Sequence, residues 1–160
     1  GHIKVGGNYA ASLRPADRAH NDGFSSVLFL DAKEKKYIDE AGPANFFGIR
    51  DKTYITPQSK TVLPSITNKS IETLAVELGL KVERRPVPVE ELARFEETGA
   101  CGTAAIIAPI GKIVDRAMKT EYNYGTTSGE YSTKIYKLLK SIQEGEVEDK
   151  YDWTTVIEGI

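Results

Sequence analysis

The chain has 160 residues, enough for one domain with a hydrophobic core, and a composition of 40% hydrophobic and 28% charged residues is typical of a globular protein in water. Its 21 basic and 23 acidic residues give a net charge of −2, so no basic surplus points to nucleic acid or to an anionic membrane. No apolar run approaches the roughly 20 residues that a membrane-spanning helix needs.

Cys101 is the only cysteine, which excludes an intrachain disulfide and indicates a reducing compartment, so we expect a cytoplasmic protein. The chain shows no signal-peptide pattern and no initiator methionine, and we interpret it as a piece of a longer protein whose first two residues are native or a cloning remnant. No cysteine pair or carboxylate cluster accompanies His2 or His20, so the sequence predicts no metal site.

A lysine precedes the first apolar-periodic segment, in Lys4-Val5-Gly6-Gly7-Asn8-Tyr9. Glycines permit a sharp turn and a close backbone approach to a ligand, and successive N–H groups in such a turn can bind one anion. A lysine that is held by a rigid turn and partly desolvated loses its proton more readily and can form a Schiff base with a carbonyl. The alternative is a flexible surface turn without a chemical role.

The segment after this lysine predicts a helix over residues 8–21, broken into two pieces at Pro15 because proline removes a helical hydrogen bond. Gly23 is expected to end the second piece. Four short strands then form an antiparallel meander: residues 26–30, buried on both faces, residues 37–38, broken at 39–43, residues 45–49 and residues 53–56.

A second helix is predicted after Ser65, because apolar residues recur on one face until Gly79: Ile71, Leu74, Ala75 and Leu78. The backbone N–H groups at its start, from Ile66 and Thr67 onward, form a potential anion site. Capping by Ser65 or Thr67 is the purely structural alternative.

The second half alternates short strands and helices. The sequence predicts a strand over 80–87, a short helix over 89–94, a glycine turn over 99–105 that leads into a strand at 106–107, a strand over 111–115, and a final helix between a Thr127–Glu130 capping box and Gly145. The tail, residues 146–160, is expected to dock on the body. The fold class is therefore α/β or mixed α+β, in one domain over residues 1–160.

Several features together suggest a phosphate-bearing aldehyde cofactor. Lys4 would bind the aldehyde, the helix start and Thr103 would bind the phosphate, and Glu40 would pair with a protonated ring nitrogen. Each residue also has a plainer interpretation. Glu40 fits a solvated surface acid, Thr103 a turn residue, and Cys101 a small buried hydrophobic residue.

Four motifs in order resemble branched-chain amino acid aminotransferases, the fold-type IV pyridoxal-phosphate enzymes. The lysine segment resembles that family's cofactor-lysine motif, and Tyr37-Ile38-Asp39-Glu40-Ala41-Gly42-Pro43-Ala44-Asn45-Phe46-Phe47 resembles its Glu…Asn-x-Phe segment. Thr56-Pro57 with Leu63-Pro64-Ser65-Ile66-Thr67-Asn68 resembles its Thr-Pro…Leu-Pro-Gly-Ile-Thr-Arg segment, and Gly102-Thr103-Ala104-Ala105 resembles its Gly-Thr-Ala turn. The tail from Gly145 to Trp153 is also similar.

The resemblance implies the family's C-terminal domain, a mixed sheet or pseudo-barrel flanked by helices, with pyridoxal 5′-phosphate on Lys4. It also implies that Tyr9, Glu40, Ile66, Thr67 and Thr103 contact the cofactor. The substrate carboxylate would meet the backbone of Thr103 and Ala104. Small amino acids and 2-oxo acids would be the partners, in a homodimer whose N-terminal domain this chain lacks.

Two positions depart from the family pattern, and both bear on the phosphate. Ser65 replaces a glycine, and Asn68 replaces an arginine, which removes a cationic contact or a packing role. The reaction implied is transfer of the amino group of leucine, isoleucine or valine to 2-oxoglutarate, and the isolated piece is expected to be inactive. A D-amino acid aminotransferase or an aminodeoxychorismate lyase of the same fold type, and a non-catalytic phosphate-binding domain, remain alternatives.

Overall fold

The structure, a computed structural model, describes residues 3–157, and within them three α-helices, nine strands and one 3₁₀ helix. The elements in chain order are α1 (Gly6–Asn21), β1 (Leu28–Leu30), β2 (Ile38–Ala41), β3 (Ala44–Arg50), β4 (Thr53–Pro57), α2 (Ile66–Glu77), β5 (Lys81–Arg85), the 3₁₀ helix (Val89–Arg94), β6 (Glu97–Gly102), β7 (Ile106–Pro109), β8 (Lys112–Asp115), β9 (Thr120–Asn123) and α3 (Glu130–Gln143). This mixture confirms the predicted α/β or mixed α+β fold class.

Strand β3 is the centre of a seven-stranded sheet. Strands β1 to β4 form the predicted antiparallel meander, α2 carries the chain across to β5, which pairs parallel with β4, and β6 and β7 extend the sheet on the other side of β3. Asn45 pairs with both Glu40 and Cys101, and Gly48 pairs with both Ile55 and Thr98. Strands β2 and β4 therefore share one edge of β3, while β6 pairs with residues 45–49 along the opposite edge.

Two hydrophobic clusters cover the two faces of this sheet, because successive side chains of a strand point to opposite faces. Phe47 packs with the apolar faces of α2 and α3, whereas its neighbour Phe46 packs with Val87, Leu92 and Phe95 on the other face. Both phenylalanines are fully buried. Burial of a large apolar side chain contributes about 1.5–3 kcal/mol each, so these clusters are the main source of stability.

Helix α1 differs from the prediction, because it runs without a break through Pro15, and none of its residues is fully buried. A proline in a helix frees the carbonyl four residues before it, and on an exposed helix water can bind that carbonyl. The helix ends at Asn21, and Gly23 adopts a left-handed φ of +83° just beyond it, as predicted. Helix α1 thus belongs to neither hydrophobic cluster.

Three strand predictions were wrong in detail. Residues 39–41 continue β2 instead of interrupting it, and the turn begins at Gly42, whose φ is +59°. Strand β1 is only half-buried, so it is not covered on both faces. The glycines at 99 and 102 lie within β6 rather than in a turn, and a Cβ on Gly99 would come within 2.5 Å of the Phe47 ring. Here glycine serves close packing across the sheet.

The start of α3 was also predicted wrongly. No side chain of the Thr127–Glu130 segment caps it; instead the carboxylate of Glu97, on β6, accepts the N–H groups of Tyr131 and Ser132. A cap from a distant strand leaves no local sequence pattern. Strand β9, which pairs with β8 in a separate hairpin, was not predicted at all.

The tail docks on the body, as expected, through the end of α2. Lys150 forms an ion pair with Glu77, and the Tyr151 hydroxyl donates to the same carboxylate, while Tyr151 stacks on Trp153 with ring centroids 4.4 Å apart. The last three residues of the tail, like residues 1–2 with His2, lie outside the described residues. No helix within residues 3–157 has the length and apolar character of a membrane span.

Candidate functional site

The register of the sheet brings several predicted site residues to one end. Glu40 on β2 pairs with Asn45 on β3, which pairs with Cys101 on β6, so these three residues form a row across adjacent strands. Neighbouring strands lie about 4.8 Å apart, and Thr103 follows Cys101 by two residues, which adds roughly 6.6 Å along the strand direction. Glu40 and the Thr103 turn therefore lie at the same end of the sheet.

Glu40 is half-buried, and one of its carboxylate oxygens is already engaged. Its Oε1 accepts the Leu63 N–H at 3.0 Å and the Asn45 side-chain N–H at 3.3 Å, whereas none of the hydrogen bonds among the described residues uses Oε2. Burial raises the pKa of Glu40, and the neighbouring charge of Asp39 raises it further, against the opposing Leu63 N–H. The free oxygen is suited to a cationic donor, which would offset this cost.

Asn45 is a second polar group at this point with incomplete hydrogen bonding. It is 4% exposed, and its Nδ2 donates to Glu40 and, at 3.1 Å, to the Leu63 carbonyl oxygen. Its Oδ1 is buried and has no partner among the described residues. Buried acceptors are nearly always satisfied, so this oxygen indicates that a donor belongs here.

The N-terminus of α2 fits an anion. The Ser65 hydroxyl caps the helix by accepting the Asn68 N–H at 3.1 Å, and the first-turn N–H groups of Ile66 and Thr67 have no acceptor among the described residues. No acidic residue lies in the first turn, and Ile66 is 78% exposed. Two N–H groups and the positive end of the helix dipole therefore face an accessible position.

The two positions that depart from the family pattern both have a structural role. Ser65 caps α2, as described above. Asn68 is 1% exposed, accepts the Tyr54 hydroxyl at 2.7 Å and donates to Thr56 Oγ1 at 3.0 Å. The Thr56 hydroxyl in turn donates to the Phe46 carbonyl oxygen at 2.9 Å. Asn68 therefore fixes the first turn of α2 to β4 from within the core.

Lys4 lies in a turn that is closed by Asn8, whose side-chain N–H donates to the Ile3 carbonyl oxygen at 2.7 Å. Gly6 and Gly7 are the first residues of α1 with ordinary helical backbone, so the predicted sharp glycine turn and its anion nest were wrong. Lys4 is exposed, and no hydrogen bond or ion pair among the described residues involves it. Nothing within residues 3–157 covers Lys4 or this end of α1.

None of the remaining predicted residues forms a hydrogen bond with Lys4 within the part of the chain that the structure describes. Tyr9 lies on α1 and is half-buried, and its hydroxyl makes no hydrogen bond within residues 3–157. Thr103 and Ala104 are exposed in the short turn between β6 and β7. The structure thus joins Glu40 with the start of α2 through Leu63 and places Thr103 at the same sheet end. Tyr9 lies on α1, and Lys4 lies in the exposed segment just before this helix.

Sequence reasoning missed Asn45, Leu63 and Asp39 as parts of this site. Their roles depend on which loop meets β2, and a local pattern cannot show that. The available signals were the adjacent acidic residues Asp39 and Glu40 within an apolar strand, and the position of Asn45 and Leu63 within the segments that resemble the family. A separate cavity of about 880 Å3 lies beneath the second half of α1 and is lined by none of the predicted site residues.

Residues 3–113 match the family model described as "Amino-transferase class IV". The chain is 46% identical over 155 residues to a branched-chain-amino-acid aminotransferase of Helicobacter pylori, covering 96% of this chain and 45% of that protein. It is 42% identical over 158 residues to the mitochondrial branched-chain-amino-acid aminotransferase 1 of Arabidopsis thaliana, covering 98% of this chain and 41% of that protein.

Solved structures give the same picture. The fold is similar to branched-chain amino acid aminotransferase from Escherichia coli, with a TM-score of 0.82, 32% identity, and coverage of 95% of this chain and 48% of that one. A second branched-chain amino acid aminotransferase, solved with pyridoxamine 5′-phosphate, gives a TM-score of 0.76 at 27% identity, with coverage of 88% and 44%. The chain spans about half the length of the curated relatives it matches.

Proposed function

The chain belongs to the amino-transferase class IV family, and on that basis we propose that it is the C-terminal half of a pyridoxal-phosphate-dependent branched-chain amino acid aminotransferase. One observation carries the proposal beyond family membership. Glu40, whose Oε2 has no hydrogen-bond partner within residues 3–157, and the N–H groups of Ile66 and Thr67, which have no acceptor there, are joined through Leu63 at one end of the sheet. This pairing suits a molecule with a protonated ring nitrogen at one end and a phosphate at the other.

The residues present fit that cofactor. Glu40 Oε2 would accept the ring N–H, and a charge-assisted hydrogen bond of this kind is worth roughly 1.5–3 kcal/mol. The N–H groups of Ile66 and Thr67, with the Thr103 hydroxyl, would hold the phosphate. Tyr9 would donate its hydroxyl to the phenolic oxygen. The free-energy cost of burying ionised Glu40 would then be offset by the positive charge of the ring nitrogen that it binds.

Pyridoxal phosphate, when bound, supplies the electron sink that makes the substrate Cα proton acidic. Lys4 Nζ would hold the cofactor aldehyde carbon and, once freed by the incoming amino acid, take the proton from the substrate Cα and return it at C4′ of the cofactor. The backbone N–H groups of Thr103 and Ala104 would orient the substrate carboxylate. In this scheme Glu40 keeps the ring nitrogen protonated while Lys4 moves the proton.

We propose further that leucine, isoleucine or valine donates the amino group and 2-oxoglutarate accepts it, in a cytoplasmic homodimer with an additional N-terminal domain. The names and identities of the relatives support the substrates, and the single cysteine supports the compartment. The 160-residue chain alone should transfer amino groups poorly, because Lys4 is exposed and α1 packs against neither core cluster.

The test is to add pyridoxal phosphate, reduce with borohydride and map the labelled peptide, using the 160-residue chain and a full-length protein that contains it. We expect the label on Lys4 in the full-length protein and its loss in Lys4→Ala, with Lys60→Ala, an exposed lysine, as the matched control. Label spread over surface lysines in the full-length protein would contradict the proposal.

Substrate class needs a separate measurement on the same full-length protein. Turnover with L-leucine and 2-oxoglutarate should far exceed turnover with D-alanine. The reverse order would indicate a D-amino acid aminotransferase, and no turnover with intact Lys4 labelling would favour a lyase of the same fold type.

A further inference from the structure

Asp39 is a buried carboxylate that the proposed reaction does not use. It is 9% exposed, and it forms no ion pair among residues 3–157. Its Oδ1 accepts the Ser59 hydroxyl at 2.9 Å, and its Oδ2 accepts the Thr61 hydroxyl at 2.7 Å. Burying a carboxylate without a cation is unfavourable unless hydrogen bonds satisfy it, so these two hydroxyls are what keeps Asp39 in place.

The residues that Asp39 binds belong to the segment that connects β4 to α2, residues 58–65. The Thr61 N–H donates to Ser59 Oγ at 3.1 Å, and the two hydroxyl oxygens lie 2.6 Å apart, so the first part of the segment is a closed hydrogen-bonded turn. Two residues after Thr61, the Leu63 N–H reaches Glu40 and its carbonyl oxygen accepts from Asn45. Adjacent carboxylates on β2 therefore hold the segment at successive points.

The sheet explains why the contacts of Asp39 with Ser59 and Thr61, here called the clamp, are needed. Strands β2 and β4 pair with the same edge of β3, at residues 44–45 and 48–50, and residues 46–47 have no strand partner on that edge. On that edge the Thr56 hydroxyl donates to the Phe46 carbonyl oxygen, and the connecting segment that follows Pro57 reaches Ser65, the cap of α2, two residues after Leu63. Surface connections without such contacts are mobile, which would loosen both Leu63 and the first turn of α2.

We propose that Asp39 is a positioning residue of the cofactor site: through Ser59 and Thr61 it holds the 58–65 segment so that Leu63 reaches Glu40 and the start of α2 faces the same site. The proposal rests on the function proposed above. It means that β2 sets the distance between the group that binds the ring nitrogen and the groups that bind the phosphate. The negative charge of Asp39 next to Glu40 also favours a positively charged ring nitrogen there.

Two measurements test the clamp. Hydrogen exchange of the Leu63 amide in the 160-residue chain reports the conformation of the segment without any cofactor. Equilibrium binding of pyridoxal phosphate, and of pyridoxal without the phosphate, to the full-length protein reports the site. The variants are Thr61→Val, which removes the hydroxyl and keeps the side-chain shape, and Asp39→Asn. The control is Thr73→Val, because within residues 3–157 the exposed Thr73 hydroxyl bonds only the Lys69 carbonyl oxygen of its own helix.

We expect Thr61→Val to speed Leu63 exchange about tenfold and to weaken pyridoxal phosphate binding by a similar factor, as the loss of a hydrogen bond to a charged group implies. Pyridoxal binding should weaken less, because it does not use the start of α2. Asp39→Asn combined with Thr61→Val should lose less than the sum of the two single variants, since an asparagine at this position keeps only one acceptor oxygen and the contact with Thr61 is affected in both. Thr73→Val should leave both measurements unchanged.

Unchanged Leu63 exchange and unchanged pyridoxal phosphate affinity in folded Thr61→Val would overturn the clamp, whatever Asp39→Asn does to folding. Failure of the proposed function has a different signature. In that case the borohydride label would miss Lys4 and Glu40→Gln would leave cofactor affinity intact, while the Leu63 exchange data would still decide the role of Asp39.

Discussion

Glu97 Oε2 accepts hydrogen bonds from both the backbone N–H and the hydroxyl of Ser132, at 2.9 and 2.6 Å. The other oxygen of the same carboxylate accepts the Tyr131 N–H at 2.9 Å. Strand β6 therefore provides the N-terminal cap of α3 and places a negative charge at the positive end of that helix.

Removing this cap should destabilise the whole domain. Glu97→Ala is expected to lower the free energy of unfolding by about 2–3 kcal/mol, the sum of a lost cap and an unsatisfied hydroxyl on Ser132, which is 1% exposed. Urea unfolding followed by circular dichroism measures this change. Glu90→Ala, at an exposed position, should stay near the wild-type value.

Gly129 provides a second check on the same contact. A Cβ at this position would overlap the side-chain carboxyl carbon of Glu97, so Gly129→Ala should displace the cap and destabilise the domain. In the Glu97→Ala background the same substitution should cost little, because the clash has been removed. Equal costs in both backgrounds would show that the cap is not what excludes a side chain here.

A substitution in the turn between β3 and β4 should raise the stability of the domain. Asp51 and Lys52 at its turn have φ values of 47° and 53°, the left-handed pair that two-residue hairpins require and that favours glycine at the second position. Lys52→Gly is expected to raise the free energy of unfolding by about 0.5–1 kcal/mol. Lys81→Gly, at an exposed strand position, should lower it, and a loss of stability in both variants would refute the prediction.

Ionised Glu40 should lower the free energy of unfolding of the cofactor-free chain at neutral pH. Burial raises the pKa of Glu40 above its ordinary value of 4.5, so the folded state disfavours the ionised form that dominates at pH 7. Glu40→Gln should therefore be more stable than wild type at pH 7. The difference should shrink as the pH falls through the folded pKa and vanish below 4.5. Because Glu40 is half-exposed, solvent screening keeps the gain small.

Thermal unfolding of both proteins over a pH series measures this difference, with Glu90→Gln as the control for an exposed glutamate. A constant difference at all pH values would show that the charge is not its cause. The same Glu40→Gln substitution should weaken cofactor binding, which would make Glu40 a residue that is kept for binding at a cost in stability.

The thiol of Cys101 should be unreactive in the folded chain. It is buried, with the Tyr54 hydroxyl 4.0 Å from its sulfur, and burial raises the pKa of the thiol to about 12. We expect no reaction with a thiol reagent at pH 8 until the protein is unfolded by denaturant. Fast labelling of the native protein would show that the sheet opens around Cys101 on β6 in solution.

The parts of the fold that were predictable are those whose cause is local. Helix α2 follows from the spacing of Ile71, Leu74 and Ala75, and β3 from its apolar run before a charged turn. The cap of α3 by Glu97 and the need for Gly99 beneath Phe47 depend on strand pairing. Those positions could not be predicted, because their partners come from other elements.

The candidate site divides in the same way. Glu40 and the start of α2 could be singled out from residue type and position alone. The interactions of Asp39 with Ser59 and Thr61 depend on where a connecting segment crosses the sheet. Solvent exposure of Lys4 was equally unpredictable, since it reflects which surfaces α1 meets rather than the residues around the lysine.

The pairing of β3 with β6 has a consequence for biosynthesis. Phe46 pairs with Ala100, so one edge of the central strand stays unpaired until residues more than 50 positions downstream have been synthesised. At roughly 5–20 residues per second, a ribosome takes several seconds to supply it. During that interval a strand with two adjacent phenylalanines has an open edge, the kind of surface on which nascent chains associate. Cellular yield should therefore depend on chaperones and on translation speed through β6.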